Sequence, residues 1–273
     1  MSLGHAWTVA RNEAAAILDN PVRTARYLPF AVVCLLVFTA ARPAYAYRPF
    51  DGTDADVAEA HLFELEFSPL SYARFAQERS LIVPQVTLNY GTGSGFEFVL
   101  EGQGVMLMHP EPEGVSPRLE EAAFSLKKVL RAGVLQEKKG PSIATEESVL
   151  IPSRGQLHAG FGIGLIVSQP LSAARTMLHL NAELARTQEQ LTERVVTMIL
   201  EGPEEWPVRP VGELSWAREG DEDAVRALLA GIVWQTRQGL AMDAAVKTTD
   251  AGDEHALELR AGFTWKMQVH KGE

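Results

Sequence analysis

Residues 257–267 read LELRAGFTWKM, with Leu257, Leu259, Ala261, Phe263, Trp265 and Met267 at every second position. Glu258, Arg260, Gly262, Thr264 and Lys266 fill the places between them. A period of two puts one set on each face of a β-strand. A soluble β-protein turns the apolar face inward and keeps its charges in water. A membrane barrel inverts this, with apolar residues against lipid and charges in the lumen. The rest of the chain decides between them.

The beginning of the chain points to export. Tyr27–Ala41, YLPFAVVCLLVFTAA, carries no charge; Arg23 and Arg26 precede it and RPAYA (42–46) follows. Basic residues, a short apolar run and an Ala-x-Ala ending predict a signal peptide over residues 1–46, cleaved after Ala46. The run is shorter than the roughly twenty residues a spanning helix needs. Residues 1–21 include Glu13 and Asp19 and read as an extension ahead of a leader starting at Val22. Cys34, the only cysteine, lies within the leader behind Val33, where a lipoprotein would need a small residue. The mature chain then has no thiol, which suits an oxidising compartment and excludes disulfides. Without residues 1–46 it keeps 21 basic and 33 acidic residues, a net charge near −12. Nucleic-acid binding needs basic clusters, so no such partner is expected.

From Tyr47 onward the two-residue period keeps returning. Phe63, Leu65 and Phe67 alternate with Glu64 and Glu66, and Val86, Leu88 and Tyr90 with Gln85, Thr87 and Asn89. Phe96, Phe98 and Leu100 oppose Glu97 and Glu101, while Phe161, Ile163, Leu165 and Val167 oppose Gly162, Gly164 and Ser168. Leu178, Leu180, Ala182 and Leu184 stand against His179, Asn181 and Glu183. Leu214 and Trp216 stand against Glu213 and Ser215, and Leu240, Met242, Ala244 and Val246 against Asp243 and Lys247. Weaker strands are expected over 124–130, 142–151, 194–200 and 225–234. Residues 124–130 also fit a helical spacing through Leu119, Ala122, Ala123, Leu126, Val129 and Leu130. The total is about twelve strands, an even count as bacterial barrels require.

The turns GTGSG (91–95), EGPEEWP (201–207) and TRQG (236–239) are short, whereas REGDED and TTDAGDEHA read as longer acidic loops on the opposite side. Phe67, Tyr72, Tyr90, Phe96, Trp206, Trp216, Trp234 and Trp265 recur near strand ends, as aromatic girdles do. The fold class expected is all-β: a closed antiparallel transmembrane β-barrel in the cell outer membrane. It comprises a leader (1–46), a solvated periplasmic arm (47–60), a barrel (61–267) and a short tail (268–273). The expected partners are outer-membrane lipid, the barrel-assembly machinery that reads a C-terminal strand, and a small-molecule solute. Leu257, Leu259, Phe263 and Trp265 are the lipid-facing residues of the closing strand.

RPFDGTDADVAEAHLFELEF (48–67), LKKVLRAGVLQEKKGPSIATE (126–146), ILEGPEEWPVRPVGEL (199–214) and the final hairpin resemble the MetA-pathway of phenol degradation family. The resemblance spans nearly the whole mature chain and rests on turn and strand patterns. It implies an outer-membrane, transporter-like barrel that moves small, often hydrophobic or aromatic, compounds, and it brings no catalytic residue.

Twelve strands enclose a narrow lumen. The inward residues expected are Glu64, Glu66, Glu97, Glu101, Glu146, His179, Asn181, Glu183, Arg209, Glu213, Asp243, Lys247, Glu258, Arg260 and Lys266. They read either as an acid-rich constriction that selects solutes or as a self-satisfied network, since buried charges need partners. No His has a Ser two residues away or a Gly-x-Ser-x-Gly setting, so no enzyme is expected. DGTDAD (51–56) lacks the spacing of a calcium loop, and no metal or other cofactor is expected. Gly160, Gly162 and Gly164 lie along a strand and read as a place where the wall bends or a loop comes close.

Overall fold

The computed structural model describes residues 48–75, 78–108, 118–153, 156–171 and 176–268. The expected leader, Cys34 and residues 269–273 of the tail lie outside them. Thirteen β-segments form a single antiparallel sheet: β1 (Leu62–Ser68), β2 (Ser71–Phe75), β3 (Glu78–Gly91), β4 (Phe96–Leu107), β5 (Arg118–Arg131), β6 (Ser142–Leu150) and β7 (Gly160–Leu171), then β8 (Thr176–Arg186), β9 (Thr192–Glu201), β10 (Val208–Glu219), β11 (Val225–Arg237), β12 (Leu240–Ala251) and β13 (Glu254–Gln268). From β2 onward each pairs with the next in sequence, and the last pairs with the first, Phe63 opposite Met267 and Phe67 opposite Phe263. β1 and β2 both lie between β13 and β3, so they are one strand interrupted at Pro69 and Leu70. The sheet is therefore a closed barrel of twelve strands.

The two faces are inverted relative to a soluble protein. Leu259, Leu228, Ile232, Leu214, Leu184, Ile163 and Phe161 are exposed, while Glu64, Glu66, Glu97, Lys127, Arg209, Glu213 and Arg260 are buried. Such an exterior is stable only against hydrocarbon, and closure leaves no backbone edge unpaired there. Among the described residues no helix is long and apolar enough to cross a membrane; the strands cross it. The molecule is a transmembrane β-barrel, the architecture of outer-membrane proteins. Aromatic pairs brace neighbouring strands on its outer face, Phe98 with Phe124 at 5.9 Å and Phe67 with Phe263 at 5.5 Å between ring centroids.

Residues 124–130 are strand. A bulge shifts the register between β4 and β5, with Gln103 opposite Glu120 and Glu101 opposite Ala123. Glu121, at φ 51°, occupies it. The inserted residues reset the alternation, so Leu119 and Phe124 both face outward and the spacing imitates a helix.

The expected long acidic loops are shorter than the sequence suggests. β12 runs to Ala251 and β13 starts at Glu254, so TTD and EH of TTDAGDEHA belong to strands around a two-residue turn. Gly252, at φ 58°, supplies the positive dihedral such a turn needs.

Candidate functional site

The barrel interior is occupied. Residues 47–60 were expected as a solvated arm; instead 48–58 run through the lumen, with Arg48 and Asp54 buried. The correction has a physical cause. An extended segment carries free N–H and C=O groups, and the inward face of the barrel offers side chains to satisfy them.

The contacts follow the arm in order. Arg48 donates from Nη1 to Gln85 Oε1 at 3.1 Å and lies 3.4 Å from Asp243. Phe50 packs on the buried cluster of Val211, Val233 and Ala241. The Asp51 carboxylate is gripped from both sides, by Lys247 Nζ at 2.6 Å and Arg260 Nη1 at 2.7 Å. Its backbone N–H and that of Gly52 donate to Glu213 Oε2 at 2.9 and 3.1 Å. Thr53 and Asn181 exchange two hydrogen bonds, 2.7 and 2.8 Å. Lys127 donates to Thr53 Oγ1 at 3.0 Å and sits 3.8 Å from Asp54. Ala55 N–H donates to Ser168 Oγ at 2.9 Å, Gln136 holds Ala55 O and Asp56, and Ala58 N–H donates to Glu97.

Burial alone would raise the Asp51 pKa. The Arg260 and Lys247 charges more than offset it and hold the carboxyl well below the usual carboxylate range. Asp56 moves the other way, pushed up by burial and by the neighbouring Asp54.

Beside the arm lies a cavity of about 130 Å³. Glu66, Glu97, Glu101, Glu146 and Glu183 line it, with Arg48 and Lys127 as its basic residues. A side chain at Gly162 would lie 2.9 Å from Glu183 Oε1. The glycine series of β7 thus makes room inside the lumen.

Several of the remaining expected residues find partners inside the barrel. Lys266 meets Glu64 at 3.0 Å, Arg209 meets Glu201 at 3.1 Å, and Glu258 takes Arg260 through two nitrogens at 2.8 and 3.0 Å. Glu66 accepts from Asn89 at 3.1 Å. Register across the β7–β8 hairpin brings Ser168 opposite His179, with Oγ 2.8 Å from Nδ1. That serine is buried beneath Ala55, where it holds the arm. Among the described residues no group of three His, Cys, Asp or Glu is arranged to hold a metal.

Lys127, Gln136, the anchoring role of Ser168 and the lumenal course of the arm were missed in the sequence. The signal for the arm was present as DGTDAD, three carboxylates ahead of strands whose inward faces carry Lys247 and Arg260. Leu257 and Leu259 are exposed on the outer face, and Phe263 packs there on Phe67.

No protein-family model and no curated protein sequence matches the chain. Solved structures do. An outer membrane channel from Pseudomonas putida F1 superposes with a TM-score of 0.60 at 6% identity, over 80% of this chain and all of that one. The KdgM porin superposes with a TM-score of 0.52 at 8% identity, over 76% of this chain and 99% of its own. The same porin in complex with disordered oligogalacturonate gives 0.50 at 9% identity, over the same shares. The likeness is one of fold. This chain shares the barrel of outer-membrane channels.

Proposed function

We propose that the protein is an outer-membrane channel for small molecules, with its N-terminal arm occupying the conducting path. The observation that carries this reading is the arm, which is held by hydrogen bonds and ion pairs to lumenal side chains beside an open, acid-rich cavity. Interactions of this kind are reversible, unlike a lumen filled by the side chains of the strands themselves. The names of the superposable barrels, a channel and a porin, support transport. The sequence resemblance to the MetA-pathway of phenol degradation family supports small hydrophobic or aromatic cargo. Within the same reading, residues 1–46 are a cleaved leader, and the glutamates of the cavity favour cations over anions.

The test is a planar bilayer with the mature chain and with a variant lacking residues 48–58. Larger, cation-selective conductance steps are expected from the deletion. Silence from a deletion that still migrates as a folded barrel contradicts the channel.

A further inference from the structure

The arm presents a phenyl ring and a carboxylate on consecutive residues, and the lumen receives each separately. Phe50 lies on an apolar surface made by Val211 of β10, Val233 of β11 and Ala241 of β12. Asp51 places one oxygen on Lys247 and the other on Arg260, both nine-tenths or more buried. Glu258 already holds Nε and Nη2 of Arg260, so Nη1 is the nitrogen left for the arm. We propose that Lys247, Arg260 and the Val211–Val233–Ala241 surface form a binding site for small aromatic carboxylates, which Phe50 and Asp51 occupy as an internal mimic.

The chemistry selects this class on two counts. Removing Asp51 takes one anion away from two buried cations and so carries a desolvation cost, which makes a neutral or cationic arene a poor replacement for Asp51. A carboxylate without a ring leaves the apolar surface open to water and loses the burial that Phe50 supplies. An aryl acid replaces the arm like for like, without adding net charge beside Glu213 and Glu258. Binding it and docking the arm exclude each other, so such a solute would release the arm and open the path. This consequence rests on the channel reading; the site does not.

A tethered competitor acts at an effective concentration in the millimolar range. Removing the mimic while keeping the cradle should therefore expose the site. The experiment compares the full barrel with a Phe50→Ala, Asp51→Asn double variant, titrated calorimetrically with 3-phenylpropanoate. The double variant should bind about tenfold or more tightly than the unaltered protein. Acetate and 2-phenylethylamine should not bind over the same range, and adding Arg260→Gln should abolish binding in a barrel that still resists unfolding before heating. Equal affinity with and without the mimic overturns the site, as does binding of acetate or 2-phenylethylamine as strongly as 3-phenylpropanoate. Conductance separates this site from the channel reading. A double variant that conducts more yet binds no 3-phenylpropanoate overturns the site alone. One that binds it without a rise in conductance supports the site and shows that the contacts of Thr53 and Ala55 still hold the arm.

Discussion

Asp51 ties the arm to two buried cations at once, Lys247 and Arg260. Replacing it with Asn leaves two buried cations short of an anion, at a cost of about 3–5 kcal/mol. Amide hydrogen exchange across residues 50–55 should accelerate in Asp51→Asn while the strands stay protected. The same pair gives a pH signature. A carboxyl whose pKa is depressed on docking stabilises the docked state above its free value, 3.8, and loses that contribution as pH falls below it. The difference in arm exchange between the unaltered protein and Asp51→Asn should be full at neutral pH and shrink below that point. A difference that does not change from neutral pH down to pH well below 3.8 would assign the docking to other contacts.

At the scale of the element, β13 tests which face meets lipid. Leu259→Arg sets a charge against hydrocarbon at a cost of about 2–4 kcal/mol near the midplane, and should lower the yield of folded barrel. Glu258→Gln keeps a polar interior and should leave assembly largely intact. Quenchers dissolved in lipid should reach labels at 259 and 263 and miss those at 258 and 260; equal water access at both sets would reverse the faces. The alternation behind this assignment was legible because strand period and burial coincide at residues such as Leu259 and Arg260. It failed where a bulge changed the period, at Glu121, which left residues 124–130 open between strand and helix and hid the lumenal position of Lys127. It also failed for loop lengths, since acidic residues on strand ends, such as Asp250, look like loop until pairing is known. The arm's charges were legible, but its course through the lumen was hidden for a different reason. It has no period, and its conformation is dictated by partners such as Asn181 and Ser168, more than a hundred residues away.

At the scale of the whole molecule, a closed barrel should sediment with outer membranes and migrate faster before heating than after. Release in soluble form by osmotic shock would contradict it. The central claim is that the arm fills the path through such a barrel. A Cβ at Gly52 would lie 3.0 Å from Thr197 Cγ2, close enough for a disulfide between cysteines at the two positions. The decisive measurement is single-channel conductance of a Gly52→Cys, Thr197→Cys variant lacking Cys34, recorded oxidised and then reduced. The oxidised barrel should stay at low conductance and open reversibly to larger steps when the bond is reduced. Failure of the disulfide to form, or identical conductance in both states, would contradict an arm in the conducting path.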